Sequence, residues 1–309
     1  MKKYIYIILI LIVSLGLSNC KKKDKNDNLT NINTDTTTFN EANFFAKIDQ
    51  SKLVQLNSII EGFISPVEMS ALIKDNHIEF SKEYLIPTSF SKNYETKIKQ
   101  ALAFGFYSTD MGYLNIYKKT GQMVDYLITI NSLAEELRVA QFFDFSTLKK
   151  LVTQNDNMDS LLFITTSSFQ QINNYFTHNN QSYLTVMMIS GAWIESQYLL
   201  TRVAKDYPEK EFETKVGSQK DILQKLFEII KIYKGHPQFD YIIGEYKKLI
   251  DVYEDVSIKI VETQGRVEYK DGNPIIYPNE ETIVDISDST LNNIIEVSEQ
   301  VRNAIIHIK

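Results

Sequence analysis

From Phe39 onward, apolar side chains recur at steps of three and four residues with few interruptions, the period of an amphipathic helix rather than of a strand. Residues that break helices and shape tight turns are scarce. Glycine and proline number 11 and 6 in 309 residues, less than half their usual combined share of about 12%. That excludes collagen-like, linker-like and wholly disordered chains, and it disfavours a turn-rich all-β protein. The predicted fold class is all-α: an irregular antiparallel multi-helix bundle with a small β-hairpin near the C-terminus.

The punctuation places the helices. Ser65-Pro66-Val67-Glu68 sets a proline just inside a helix start with Ser65 as its cap. One helix is expected over 91–118, with Gly121 separating it from a second over 122–139 and a shorter one following over 144–152. Asn155-Asp156 offers a cap for a helix to Phe176, His178-Asn179-Asn180 is a polar break, and the next helix runs over 182–205. Pro208 opens an arm whose stripe is Ile222, Leu223, Leu226, Phe227, Ile230 and Tyr233. After Gly235-His236-Pro237, a return stripe runs from Phe239 through Tyr246 and Tyr253 to Ile260, completing a helical hairpin. The exception to the helical period is 266–277, where two β-prone runs flank Lys270-Asp271-Gly272-Asn273-Pro274. A further short strand is expected over 283–286, and Ser287 or Asp288 should cap a last helix to His307.

The first twenty residues carry an address. Lys2 and Lys3 precede an apolar run over 4–17, shorter than the roughly 20 residues of a membrane span, and Cys20 follows. A basic start and a short apolar run form the pattern of a secretory signal. The segment resembles a bacterial lipoprotein signal with its lipobox, with Asn19 before the cysteine. What this implies is cleavage after residue 19, lipid on the Cys20 thiol and a fatty acyl group such as palmitate on its amino group. Several acyl chains hold a protein to a leaflet far more firmly than one, at about 0.8 kcal/mol per buried methylene. The expected organisation is a signal peptide over 1–19, a lipidated cysteine and disordered tether over 20–38, and one helical domain over 39–309. The tether contains only Leu29 and Ile32 as large apolar residues.

Charge narrows the partners. Removing residues 1–19 takes away two of the 33 basic side chains against 39 acidic ones, leaving a net of −8. No basic domain or aromatic-basic stripe points to nucleic acid. His77, His178, His236 and His307 are scattered, without His or Cys at ligand spacing, so neither a metal nor another cofactor is expected. Phosphate-loop, dinucleotide and nucleophile-elbow motifs are missing from the sequence.

Two constellations remain. Ala101, Gly105, Ser108 and Gly112 lay small side chains along one helix face, where each glycine costs about 1 kcal/mol relative to alanine. Close approach of another helix is one reading; a ligand over the seam, edged by Asp110 and Tyr113, is the other. In Ser190-Gly191-Ala192-Trp193-Ile194-Glu195 the only tryptophan follows small residues inside an apolar helix. Core packing explains it, and a buried Glu195 would then require Arg202 or a tyrosine hydroxyl. The functional reading joins Glu68, Asp110, Tyr113, Trp193 and Glu195 in a binding cleft.

Ser65-Pro66-Val67-Glu68, the 105–113 run, Phe142-Phe143-Asp144-Phe145, Asp159-Ser160-Leu161-Leu162 and Gly191-Ala192-Trp193-Ile194-Glu195 together resemble an uncharacterised family of all-helical outer-membrane lipoproteins of Bacteroidetes. The resemblance implies an outer-membrane lipoprotein and supplies no reaction, ligand or catalytic residue. Lys21-Lys22-Lys23 stands where some relatives of that phylum carry an acidic surface-display signal, which favours the periplasmic face. The functional expectation is a membrane-anchored binding or adaptor module for an envelope protein or small ligand. The alternative is a glycan- or peptide-processing enzyme with a carboxylate-lined helical cleft.

Overall fold

The computed structural model describes residues 40–48, 59, 73, 76–154, 158–262, 264–270, 273–277 and 280–308. Among them are ten α-helices: α1 (Glu41–Phe45), α2 (Lys97–Ile116), α3 (Thr120–Glu136), α4 (Phe145–Gln154), α5 (Met158–His178), α6 (Ser182–Asp206), α7 (Lys210–Ser218), α8 (Lys220–Lys231), α9 (Pro237–Tyr253) and α10 (Asp288–Ile306). The fold is an all-α bundle with a small β element near the C-terminus, and residues 40–309 cluster as one compact unit. No helix among the described residues is long and apolar enough to cross a membrane. The expected signal peptide, Cys20 and tether, the Ser65-Pro66 helix start with Glu68, and the Asn155-Asp156 cap lie outside the described residues.

Helix ends follow local chemistry that only partly matches the glycine and proline positions. Thr96 accepts the Lys99 N–H at 3.3 Å and starts α2, six residues after the expected start; Thr88–Asn93 forms a 3-10 turn instead. The break after α2 falls at Lys118, not at Gly121, which lies in the first turn of α3. Lys118, Arg138 and Asn180 adopt left-handed φ values of 53°, 60° and 55°. The residue after each donates back five positions: Lys119 to Leu114 at 3.0 Å, Val139 to Ala134 at 2.8 Å, and Gln181 to Phe176 at 2.7 Å. These are Schellman closures built without glycine. His77, at φ 52°, precedes the same closure from Ile78 to Ile73 at 3.0 Å.

Pro237 occupies the first turn of α9 behind the His236 cap, and Gly235 takes a φ of 101°, as a sharp reversal between two long stripes requires. The arm before it is two helices, α7 and α8, meeting at Gln219. The return helix stops at Tyr253. Ile260, expected on its stripe, is exposed in a strand instead.

Between α9 and α10 the chain forms two nested antiparallel ladders. Strand β1 (Ser257–Glu262) pairs with β4 (Glu280–Asp285), from Ser257 opposite Asp285 to Glu262 opposite Glu280. Inside it β2 (Arg266–Lys270) pairs with β3 (Asn273–Tyr277). The expected hairpin over 266–277 is present, with Asn273 and Pro274, expected in the turn, already paired in β3; residues 271–272 lie outside the described residues. Val284 and Ile286 are buried at the root of the ribbon, while β1 becomes exposed along its length.

Helix α6 is central: it packs on α2 in the most extensive contact between elements, and also on α10, α7 and α5. Tyr233, Tyr246 and Tyr253 are core residues. Tyr246 donates to the Ser190 carbonyl at 2.6 Å. Tyr253 donates to the Val216 carbonyl at 2.9 Å and accepts from Gln197 at 2.7 Å.

Candidate functional site

The crossing of α2 and α6 depends on two glycines. A Cβ on Gly105 would lie 2.2 Å from the Met188 carbonyl oxygen and 2.6 Å from the Ala192 nitrogen; one on Gly191 would lie 2.1 Å from the Leu102 carbonyl oxygen. Close helix approach is therefore the reading that holds at Gly105. Gly112, by contrast, has no neighbour within 4 Å of an added Cβ, so the seam does not extend that far. Thr109 ties the crossing by donating to the Ala192 carbonyl at 3.3 Å.

About a turn beyond these glycines, each helix contributes a carboxylate to the interior. Asp110 on α2 and Glu195 on α6 are both 0% exposed. The cation that meets them is Arg302 on α10, not Arg202. Its Nη2 donates to Glu195 Oε1 at 2.7 Å and its Nε to Oε2 at 2.9 Å, a bidentate pair, and its guanidinium lies 4.2 Å from the Tyr198 ring centre. Arg202 instead reaches the half-exposed Glu299 at 3.4 Å.

The purpose of this charge in an apolar core is visible in segment 78–94, a strap of short turns laid across α2, α3 and α10. An irregular segment in a core cannot pair its backbone within a helix or sheet, so side chains must do so. Arg302 Nη2 donates to the Tyr84 carbonyl at 3.1 Å, and Asp110 Oδ2 accepts the Ile86 N–H at 2.9 Å. Tyr126 donates to the Ile86 carbonyl at 2.6 Å and Tyr107 to the Pro87 carbonyl at 3.2 Å. Tyr113 accepts the Ser81 N–H at 3.1 Å, Tyr207 accepts that of Glu79 at 3.1 Å, and Tyr94 donates to Ile306 at 3.2 Å. The Tyr84 hydroxyl bonds to Asp206.

Burial drives the electrostatics. Desolvation, then the Glu195 charge, pushes Asp110 well above the ordinary carboxylate range; the Ile86 N–H and Arg302 oppose this. Burial works against the Arg302 charge, but Glu195 and Asp110 overcome it, and the guanidinium is held above its usual value. Tyr84, Tyr94, Tyr107 and Tyr126 are all raised, chiefly by burial, so they remain neutral hydroxyl donors. A smaller buried polar point lies at His236, which burial lowers. Its Nε2 is 3.3 Å from Glu41, and its ring lies 5.1 Å from that of Phe45, which stacks on Tyr183 at 3.7 Å.

The five residues expected to line one cleft therefore separate. Asp110 and Glu195 meet, but inside the body. Tyr113 reaches the strap and packs on Phe80 at 5.7 Å, and Trp193 packs on Tyr246 of α9 at 5.7 Å. Glu68 lies outside the described residues. Sequence reasoning missed Arg302 and the strap. The available signal was an arginine on the apolar stripe of α10, in line with Ile295, Ser298 and Ile305. Among the described residues, no group of three or more His, Cys, Asp or Glu is placed to hold a metal. Comparison with protein-family models, curated proteins and solved structures gave no match.

Proposed function

We propose that the chain is a lipid-anchored envelope protein of the outer membrane, attached through Cys20 with the periplasmic face favoured, and that its helical body acts as a binding or adaptor module. The observation that carries the binding half of this reading is where the side chains point. The convergent charges are enclosed and engaged with one another and with the strap, which leaves no solvent-facing carboxylate pair at Asp110 and Glu195 for a glycan- or peptide-processing reaction. Large apolar side chains instead face solvent on the ribbon: Ile260 is 69% exposed, Ile283 46% and Val261 39%. Val261 and Ile283 lie diagonally on one face of the β1–β4 ladder, with Ile260 on the other. Exposed apolar side chains concentrated on one element suit a protein interface. Among the described residues, the two further exposed large apolar side chains, Ile128 and Tyr241, sit singly on α3 and α9.

The anchoring half rests on the basic start, the short apolar run and the position of Cys20. Cys20→Ala should abolish incorporation of labelled fatty acid and release the protein from membranes; unchanged membrane association defeats the anchor. For the body, Ile260→Glu with Ile283→Glu should keep the wild-type melting temperature, within the roughly 0.5 kcal/mol of ordinary surface changes, and lose the cross-linked partners formed in intact envelopes. An undiminished cross-linking pattern from a folded double variant contradicts the ribbon as the contact surface.

A further inference from the structure

Two carboxyls and one guanidinium meet inside the body, and one charge is left without a counterpart. Both Glu195 oxygens take Arg302 donors at 2.7 and 2.9 Å, so the guanidinium is committed to Glu195. Asp110 receives the Ile86 N–H on Oδ2 at 2.9 Å, and its buried Oδ1 has no donor. The other titratable groups that act with it are tyrosines on three elements: Tyr94 of the strap, Tyr107 and Tyr113 of α2, and Tyr126 of α3. The hydroxyl protons of Tyr94, Tyr107 and Tyr126 go to the carbonyls of Ile306, Pro87 and Ile86. Two ionised carboxylates facing each other in a medium of low dielectric repel, and one guanidinium cannot compensate both.

We propose that a single proton, resident on Asp110 Oδ1 and donated to the facing Glu195 carboxylate, is a structural component of the closed body, and that its removal releases the strap at Ile86. With the proton in place the cluster is neutral overall: one anion, one cation and one carboxylic acid. Oδ1 changes from an orphaned acceptor into a donor, and each Glu195 oxygen still has a lone pair beyond the one Arg302 uses. When the proton leaves to solvent, a second buried anion remains beside Glu195. The cheapest relief is to admit water where Asp110 meets the strap backbone.

The consequence is a pH dependence of defined sign. In the unfolded chain Asp110 titrates near pH ~3.9, and in the folded chain burial and Glu195 hold it well above that. Between the two values the folded state binds one proton more than the unfolded state. The unfolding equilibrium constant therefore rises about tenfold per pH unit from this group. The stabilisation is complete below the unfolded value and is lost as pH rises toward the folded one.

The test is denaturant unfolding of the full chain, wild type and Asp110→Asn, from about pH 5 to about pH 9. The carboxamide keeps the Ile86 bond through its oxygen and gives Glu195 a permanent N–H donor. Below the pH at which the folded Asp110 loses its proton, the variant's unfolding constant should therefore climb with pH about tenfold per unit less steeply than that of the wild type. Parallel profiles for the two proteins overturn the proposal, because Asp110 would then be ionised in the folded state. Should the variant fail to fold, infrared spectroscopy of wild-type protein with 13C-labelled aspartate decides. A protonated-carboxyl C=O band that persists at neutral pH supports the proposal, and absence of the band overturns it.

Discussion

Arg302→Met costs the body about 3–5 kcal/mol, the loss expected when one partner of a buried ion pair is removed and the other is left uncompensated. Small domains have only about 5–15 kcal/mol in total, so part of the population unfolds at moderate temperature. Four contacts disappear together: the two bonds to Glu195, the bond to the Tyr84 carbonyl, and the guanidinium face on Tyr198. The strap then loses a donor at the point where its chain enters the core. Denaturant titration measures the loss, and two further variants show its origin. Arg202→Met, which breaks the half-exposed pair with Glu299, should cost under about 1 kcal/mol. Adding Glu195→Gln to Arg302→Met should recover part of the loss, because no buried charge remains unpaired at that position. A loss below about 1 kcal/mol for Arg302→Met would mean that the guanidinium and Glu195 are solvated.

The second large effect is at the helix crossing. Gly105→Ala and Gly191→Ala each place a methyl 2.2 or 2.1 Å from a carbonyl oxygen of the facing helix backbone. Backbone atoms cannot rotate aside as a side-chain tip can, so α2 and α6 must separate along their whole contact. A loss of about 1–3 kcal/mol is the ordinary range for overpacking, and contact with backbone places both variants at its upper end. Gly112→Ala should do the opposite. Nothing lies within 4 Å of its added methyl, and replacing a mid-helix glycine gains up to about 1 kcal/mol. Melting temperatures of the three variants are sufficient: lowered, lowered and raised. Equal shifts at Gly105 and Gly112 would contradict the crossing geometry.

The sequence disclosed these features unevenly, for physical reasons. The all-α class and the 266–277 hairpin were legible because apolar period and turn chemistry are local properties. The end of α2 was not, because the chain reverses at Lys118 in a left-handed conformation that costs about 1–2 kcal/mol without glycine; Gly121, which looked like the break, is helical. Gly105 and Gly112 are indistinguishable as letters, and only the position of α6 makes one a contact and the other open surface. Asp110 and Glu195 could be singled out because each sits in a small-residue or apolar context. Their partner could not: Arg302 lies 107 residues from Glu195, and sequence spacing holds no record of which helices become neighbours. Ile260 fits the helical stripe in the sequence because β1 continues the apolar rhythm of α9 for one more step before the ribbon begins.

Enclosure of the Asp110, Glu195 and Arg302 cluster under a fixed strap decides whether these residues form a structural lock or an accessible site. Native-state hydrogen exchange at the Ile86 amide reads this directly, since that N–H is bonded only to the Asp110 carboxyl. At neutral pH it should exchange at the rate set by global unfolding, in step with the slowest amides of α2 and α6. Exchange many orders of magnitude faster than those amides would show a strap that opens by itself and carboxyls that solvent and ligands can reach.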